Sequence, residues 1–183
     1  RFANEEALRY YRQSVDFMLK TMPAVEQRIN VYAGLGSVQN FTGDYDGAIK
    51  SYRTALELAR VTNETDLPLS IGEIMRRIGR VCERRGDYGE AFHWLQDGLA
   101  ELDRHPIDAL HEERARLFND IGWVQYLRGE FDEAYAWRMR SLESVEGTQH
   151  HGELASAYAG LVALFTRTGD WERALDYGEK GLR

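Results

Sequence analysis

Apolar residues recur along this chain at three- and four-residue spacing, in runs about five helical turns long that are separated by short polar breaks. Two kinds of run alternate. One carries Ile29, Tyr32, Leu35, Gly36 and Val38 inward, and the other carries Ala48, Ile49, Tyr52, Ala55 and Leu56 on one side, as a helix packed on one face does. We call these helix A and helix B. The pattern predicts A helices over 23–42, 67–85, 106–128 and 149–168, and B helices that end near Asn63 or run over 88–104, 131–146 and 171–182. Pro23, Pro68 and Pro106 suit first helical positions, where the missing N–H is not needed. The break from A to B is Gly43-Asp44-Tyr45 with Ala48, Gly86-Asp87-Tyr88 with Ala91, Gly129-Glu130-Phe131 with Ala134, and Gly169-Asp170-Trp171 with Ala174. Its spacings of 43, 43 and 40 residues mark a stacked repeat array rather than one central core.

At the front, Ala7, Leu8, Tyr11, Ser14 and Val15 reproduce the helix-B pattern 41 residues ahead of Ala48 to Leu56. The expected organisation is therefore a single all-α array over 1–183. It comprises an orphan B helix over 3–22 and four repeats over 23–63, 66–104, 106–147 and 149–183. An array that starts half-way through a unit reads as a piece excised from a longer protein. Leu175 and Leu182 fall on a last helix with nothing after it, which predicts exposed apolar surface there.

Composition changes this picture little. Hydrophobic residues make up 43% and charged residues 29%, as in a soluble folded chain, and no apolar run approaches the roughly 18 residues that span a bilayer. A net charge of −7 argues against direct nucleic-acid binding and against an anionic membrane surface. The one cysteine, Cys82, lies in an apolar helical stretch, which predicts a buried, inert thiol and a cytoplasmic setting.

Small residues recur inside the A helices as Gly36, Gly79 and Gly122, preceded by Leu35, Ile78 and Ile121. A helical glycine costs roughly 1 kcal/mol relative to alanine, so its recurrence implies close helix approach. Together with the Gly-acid-aromatic turn and the early helix-B alanine, these positions make the chain resemble the tetratricopeptide repeat family, in the long-period form found in bacterial and other cytoplasmic signalling and regulatory proteins. The resemblance covers essentially the whole chain. Three departures stand out. Repeat four has Leu161-Val162 with Gly160 in substitution, while Arg138 and Gly178 occur where Tyr52 and Leu95 supply apolar bulk.

The resemblance implies a right-handed superhelical solenoid of antiparallel helix pairs whose A helices line a concave groove. Inward positions would be Ala33, Arg76, Asn119 and Ala159, then Ser37, Arg80, Trp123 and Ala163, then Asn40, Glu83, Tyr126 and Thr166. Arg76, Arg80 and Arg84 share one stripe with Arg77 beside them, and Trp123 and Tyr126 are expected to face that stripe. Guanidinium groups and aromatics suit an acidic, carboxylate-bearing peptide, Asn119 suits its backbone, and Asn40 is counted with them as a groove residue. The same run of charge also reads as a solvated face, with Glu73 and Glu83 as partners for the arginines.

No catalytic constellation is legible. His93, His105, His111, His150 and His151 are scattered with no companion at metal-ligand spacing along the sequence, and no phosphate loop or nucleophile motif occurs, so neither a cofactor nor a metal is expected. The leading reading is a scaffold or interaction module for a protein or peptide partner within a larger regulatory protein. Small-molecule sensing through Trp123, Tyr126 and Asn119, and self-association into a homo-oligomer, are the alternatives.

Overall fold

The computed structural model describes residues 2–62, 70–104 and 111–182, with side chains from residue 4 onward. Among these residues every regular element is an α-helix: α1 (Phe2–Thr21), α2 (Val25–Thr42), α3 (Tyr45–Val61), α4 (Ile71–Arg85), α5 (Tyr88–Leu102), α6 (His111–Arg128), α7 (Phe131–Val145), α8 (His151–Thr168) and α9 (Trp171–Gly181). Expected boundaries hold to within a few residues. The predicted starts at Pro68 and Pro106 and the predicted end at Asn63 lie outside the described residues, and α2 begins two residues beyond Pro23.

The turn signature has a common physical basis. Gly43, Gly86, Gly129 and Gly169 adopt φ of +83°, +92°, +84° and +81°, the left-handed conformation that ends a helix with little cost only at glycine. The acidic residue that follows acts through its length. Asp44 and Asp170 cap α3 and α9 by accepting from the backbone N–H of Gly47 at 3.0 Å and of Arg173 at 3.1 Å, whereas the longer Glu130 makes no such bond to α7. The alanines that follow, Ala48, Ala91, Ala134 and Ala174, are all buried.

The helices gather into two compact units, Arg1–Trp94 and Leu95–Arg183. In the first, α1 packs on α2, α2 on α3 and α3 on α4. Gly36 admits the ring of Tyr52, whose carbon atoms would stand 3.0–3.1 Å from a Cβ at that position, and the Tyr52 hydroxyl lies 2.9 Å from the Ser37 Oγ. Gln39 is buried and braces the turn, accepting from the Ser51 hydroxyl at 2.6 Å and donating to Asp44 at 3.1 Å. Cys82 is buried as expected, and burial pushes its thiol up to about 11, with the Glu90 carboxylate adding to the rise.

In the second unit α6 packs on α7 and α8, α7 on α8, and α8 on α9, around Leu142, Ala157, Leu161, Phe165 and Ala174. Leu175 is 69% and Leu182 89% exposed, which agrees with the apolar surface expected on α9. Among the described residues no helix is long and apolar enough to cross a membrane.

Candidate functional site

In the first unit the arginine stripe lies along α4, and its N-terminal half is committed within that helix. Ser70 caps α4 by accepting from the Glu73 N–H at 3.0 Å, which starts the helix so that Glu73 sits one turn ahead of Arg76 and Arg77. The Arg76 Nε donates to Glu73 at 2.7 Å and its Nη2 at 3.1 Å, while the Arg77 Nε donates at 2.9 Å. Burial raises the Glu73 carboxyl pKa, but the hydrogen bonds and charges of Arg76 and Arg77 outweigh it and hold the group below its ordinary 4.5. Glu73 is thus one of the two acidic partners expected for these arginines.

The C-terminal half of the stripe is open. Arg80 and Arg84 are exposed, and the Arg84 guanidinium lies 5.9 Å from the centroid of the exposed Phe41 ring on α2. Between α2 and α4 runs a cleft of about 270 Å³ that Ser37, Asn40, Phe41 and the four arginines line. Asn40 contributes an unusual atom. Its Oδ1 is buried and accepts no hydrogen bond among the described residues, a state that buried polar atoms of folded proteins rarely show.

The α6 residues of the second unit behave differently. Trp123 and Tyr126 stack on each other with ring centroids 5.2 Å apart and planes 14° apart, and Tyr126 also meets Phe131 at 5.9 Å. Trp123 keeps 37% of its surface exposed. Asn119 departs from expectation: it is only 6% exposed, and its Oδ1 accepts from the Arg138 Nη1 at 3.0 Å. The structure gives Asn119 to an internal contact, not to an open surface.

Two segments, 27–100 and 113–183, match the family model described as Tetratricopeptide repeat. The chain belongs to the tetratricopeptide repeat family. A curated relative, Protein KINESIN LIGHT CHAIN-RELATED 3 of Arabidopsis thaliana, is 32% identical over 144 residues, which is 76% of this chain and 21% of that protein. The chain thus spans about a fifth of that relative's length. Among solved structures, apo RapI superposes with a TM-score of 0.82 at 15% identity over 99% of this chain and 48% of its own. The Rap conjugation gene regulator of plasmid pLS20, in complex with the Phr* peptide, gives 0.70 at 17% over 84% of this chain and 41% of its own.

Within this tetratricopeptide fold two features were not legible from helix faces alone. Arg138 takes the helix-B position of Tyr52 but runs on past Gly122 to lie against Gly160 of the next pair, and this is what buries Asn119. Its guanidinium is desolvated, which lowers its pKa to about 10 against the pull of the Asp120 carboxylate. The second feature is that His150 and Glu153, three residues apart at the start of α8, have Glu112 of α6 beside them in the fold.

Proposed function

We propose that this chain is a protein-interaction module whose first unit holds an acidic peptide segment of a partner in the cleft between α2 and α4. The observation that carries this reading is the unpartnered, buried Asn40 Oδ1 in a cleft that also presents the exposed Arg80 and Arg84. A peptide backbone N–H satisfies such an acceptor, and removing the cost of an unpaired buried oxygen is worth about 1–3 kcal/mol. The two guanidinium groups then take side-chain carboxylates, in bidentate contacts that favour Asp and Glu over neutral residues. Arg76 and Arg77 line the floor through Glu73 and set the positive field without having to leave their pairs.

The family supports an interaction role, and the peptide complex of the pLS20 Rap regulator is a precedent on the same fold. The helices supply positioning, and the role inferred is that of a scaffold or regulatory segment in the cytoplasm. A binding screen against peptides graded in acidity, repeated with Arg80→Ala/Arg84→Ala, tests this. Selection of acidic sequences that the double variant abolishes is expected. Selection unaffected by the two substitutions overturns the assignment.

A further inference from the structure

Two side chains at the start of α8, three residues apart, meet a third from the start of α6, nearly forty residues earlier. Glu112 lies in the first turn of α6, His150 immediately precedes α8, and Glu153 lies in the first turn of α8. One ligating atom from each lies within 4.8 Å of the other two. The three are partly buried, at 40%, 38% and 15% side-chain exposure, so the cluster is reachable from solvent and still fixed by its helices.

Arg116, one turn along α6 from Glu112, organises the carboxylates. Its Nε donates to Glu153 Oε1 at 2.8 Å and its Nη2 donates to Glu112 Oε1. Glu112 Oε2 is turned the other way and lies 3.7 Å from His150 Nδ1, too far for a hydrogen bond between them. The imidazole nitrogen and the outer carboxylate edge therefore approach one another without satisfying one another. Ligands at about 2.0–2.2 Å from a common tetrahedral ion lie roughly 3.3–3.6 Å apart, so a rotamer adjustment of about 1 Å brings these three onto one centre.

We propose that Glu112, His150 and Glu153 bind a divalent transition-metal cation of the zinc class, with Arg116 holding the two carboxylates in place from the side opposite the ion. One imidazole nitrogen with two carboxylate oxygens suits zinc and its neighbours better than magnesium or calcium, which take all-oxygen sets. Carboxylates that bind an ion through one oxygen are commonly hydrogen-bonded through the other, which is the place Arg116 has. Two carboxylates, one guanidinium and a divalent ion leave a net charge of about +1 at the site, and three protein ligands leave a coordination position open to water or an outside donor. The ion ties the start of α6 to the start of α8, so binding stabilises the second unit.

The test is calorimetric titration of the chelator-treated protein with Zn²⁺, alongside His150→Ala and His151→Ala. His150→Ala removes a ligand and leaves both Arg116 pairs intact, while His151→Ala controls for adventitious histidine binding. The expected result is saturable binding of one Zn²⁺ per chain, an apparent Kd raised at least about tenfold by His150→Ala and unchanged by His151→Ala. A Zn²⁺-dependent rise in the thermal midpoint should vanish with His150. Absence of saturable binding in the wild-type chain, or equal affinity in His150→Ala, overturns the proposal.

Discussion

In the second unit the guanidinium of Arg138 fills the space that a Cβ on residue 160 would occupy. Glycine at 160 is therefore the condition under which a buried arginine joins α7 to α8 and reaches Asn119. Ala in place of Gly in a helix ordinarily gains about 1 kcal/mol. Here we expect Gly160→Ala instead to lose about 1–3 kcal/mol, because the guanidinium must be displaced within a packed interior. Urea denaturation of Gly160→Ala, Arg138→Ala and the double variant checks this: the losses should be strongly non-additive. A Gly160→Ala chain as stable as the wild type contradicts the account.

The same lock recurs at the other end. Tyr11 has the helix-B position that Arg138 has, and its ring fills the space a Cβ on Gly34 would need. Gly34 stands two residues before Gly36, as Gly160 stands two before Val162. Gly34→Ala should accordingly release α1 from α2. Amide exchange would show lost protection confined to α1, and Tyr11→Ala in the same chain should relieve the clash. Uniform loss across both units contradicts it.

These locks show where legibility from sequence stopped. The turns were readable because each depends on a local event, a left-handed glycine, to which Asp44 and Asp170 add a short acidic cap. The arginine stripe was readable as a stripe, and its pairing to Glu73 follows from three- and four-residue helical spacing. Asn119 was misplaced because facing inward is a property of its own helix, whereas its burial depends on a long side chain arriving from α7 and stopped by nothing at Gly160. The Glu112, His150 and Glu153 group escaped for a related reason: His150 and Glu153 stand three residues apart, but Glu112 joins them only when α6 and α8 pack together.

Glu73 predicts an acid dependence of known sign. Its folded pKa lies below the ordinary 4.5, so its contribution is complete above that value and is lost as pH falls through the folded pKa. Glu73→Gln should cost about 1.5–3 kcal/mol at neutral pH, the range for hydrogen bonds to a charged group. The gap between wild type and variant should close as pH falls below about 4.5. A gap that persists unchanged to lower pH contradicts the pairing described for α4.

Cys82 supplies a chemical check on the first unit. With the thiol buried and its pKa raised to about 11, alkylation at mildly alkaline pH should be slow in the folded chain and fast in denaturant. Rapid labelling without unfolding would mean that α4 is not packed as described.

The most direct test of the binding account is side-chain NMR of the uniformly labelled chain during titration with an acidic peptide. The Asn40 amide and the Arg80 and Arg84 Nε–H resonances should shift together and saturate together, and Asn40→Ala should weaken the peptide about tenfold, equivalent to about 1.4 kcal/mol. Binding that saturates while these resonances stay fixed would place the partner elsewhere and contradict the account.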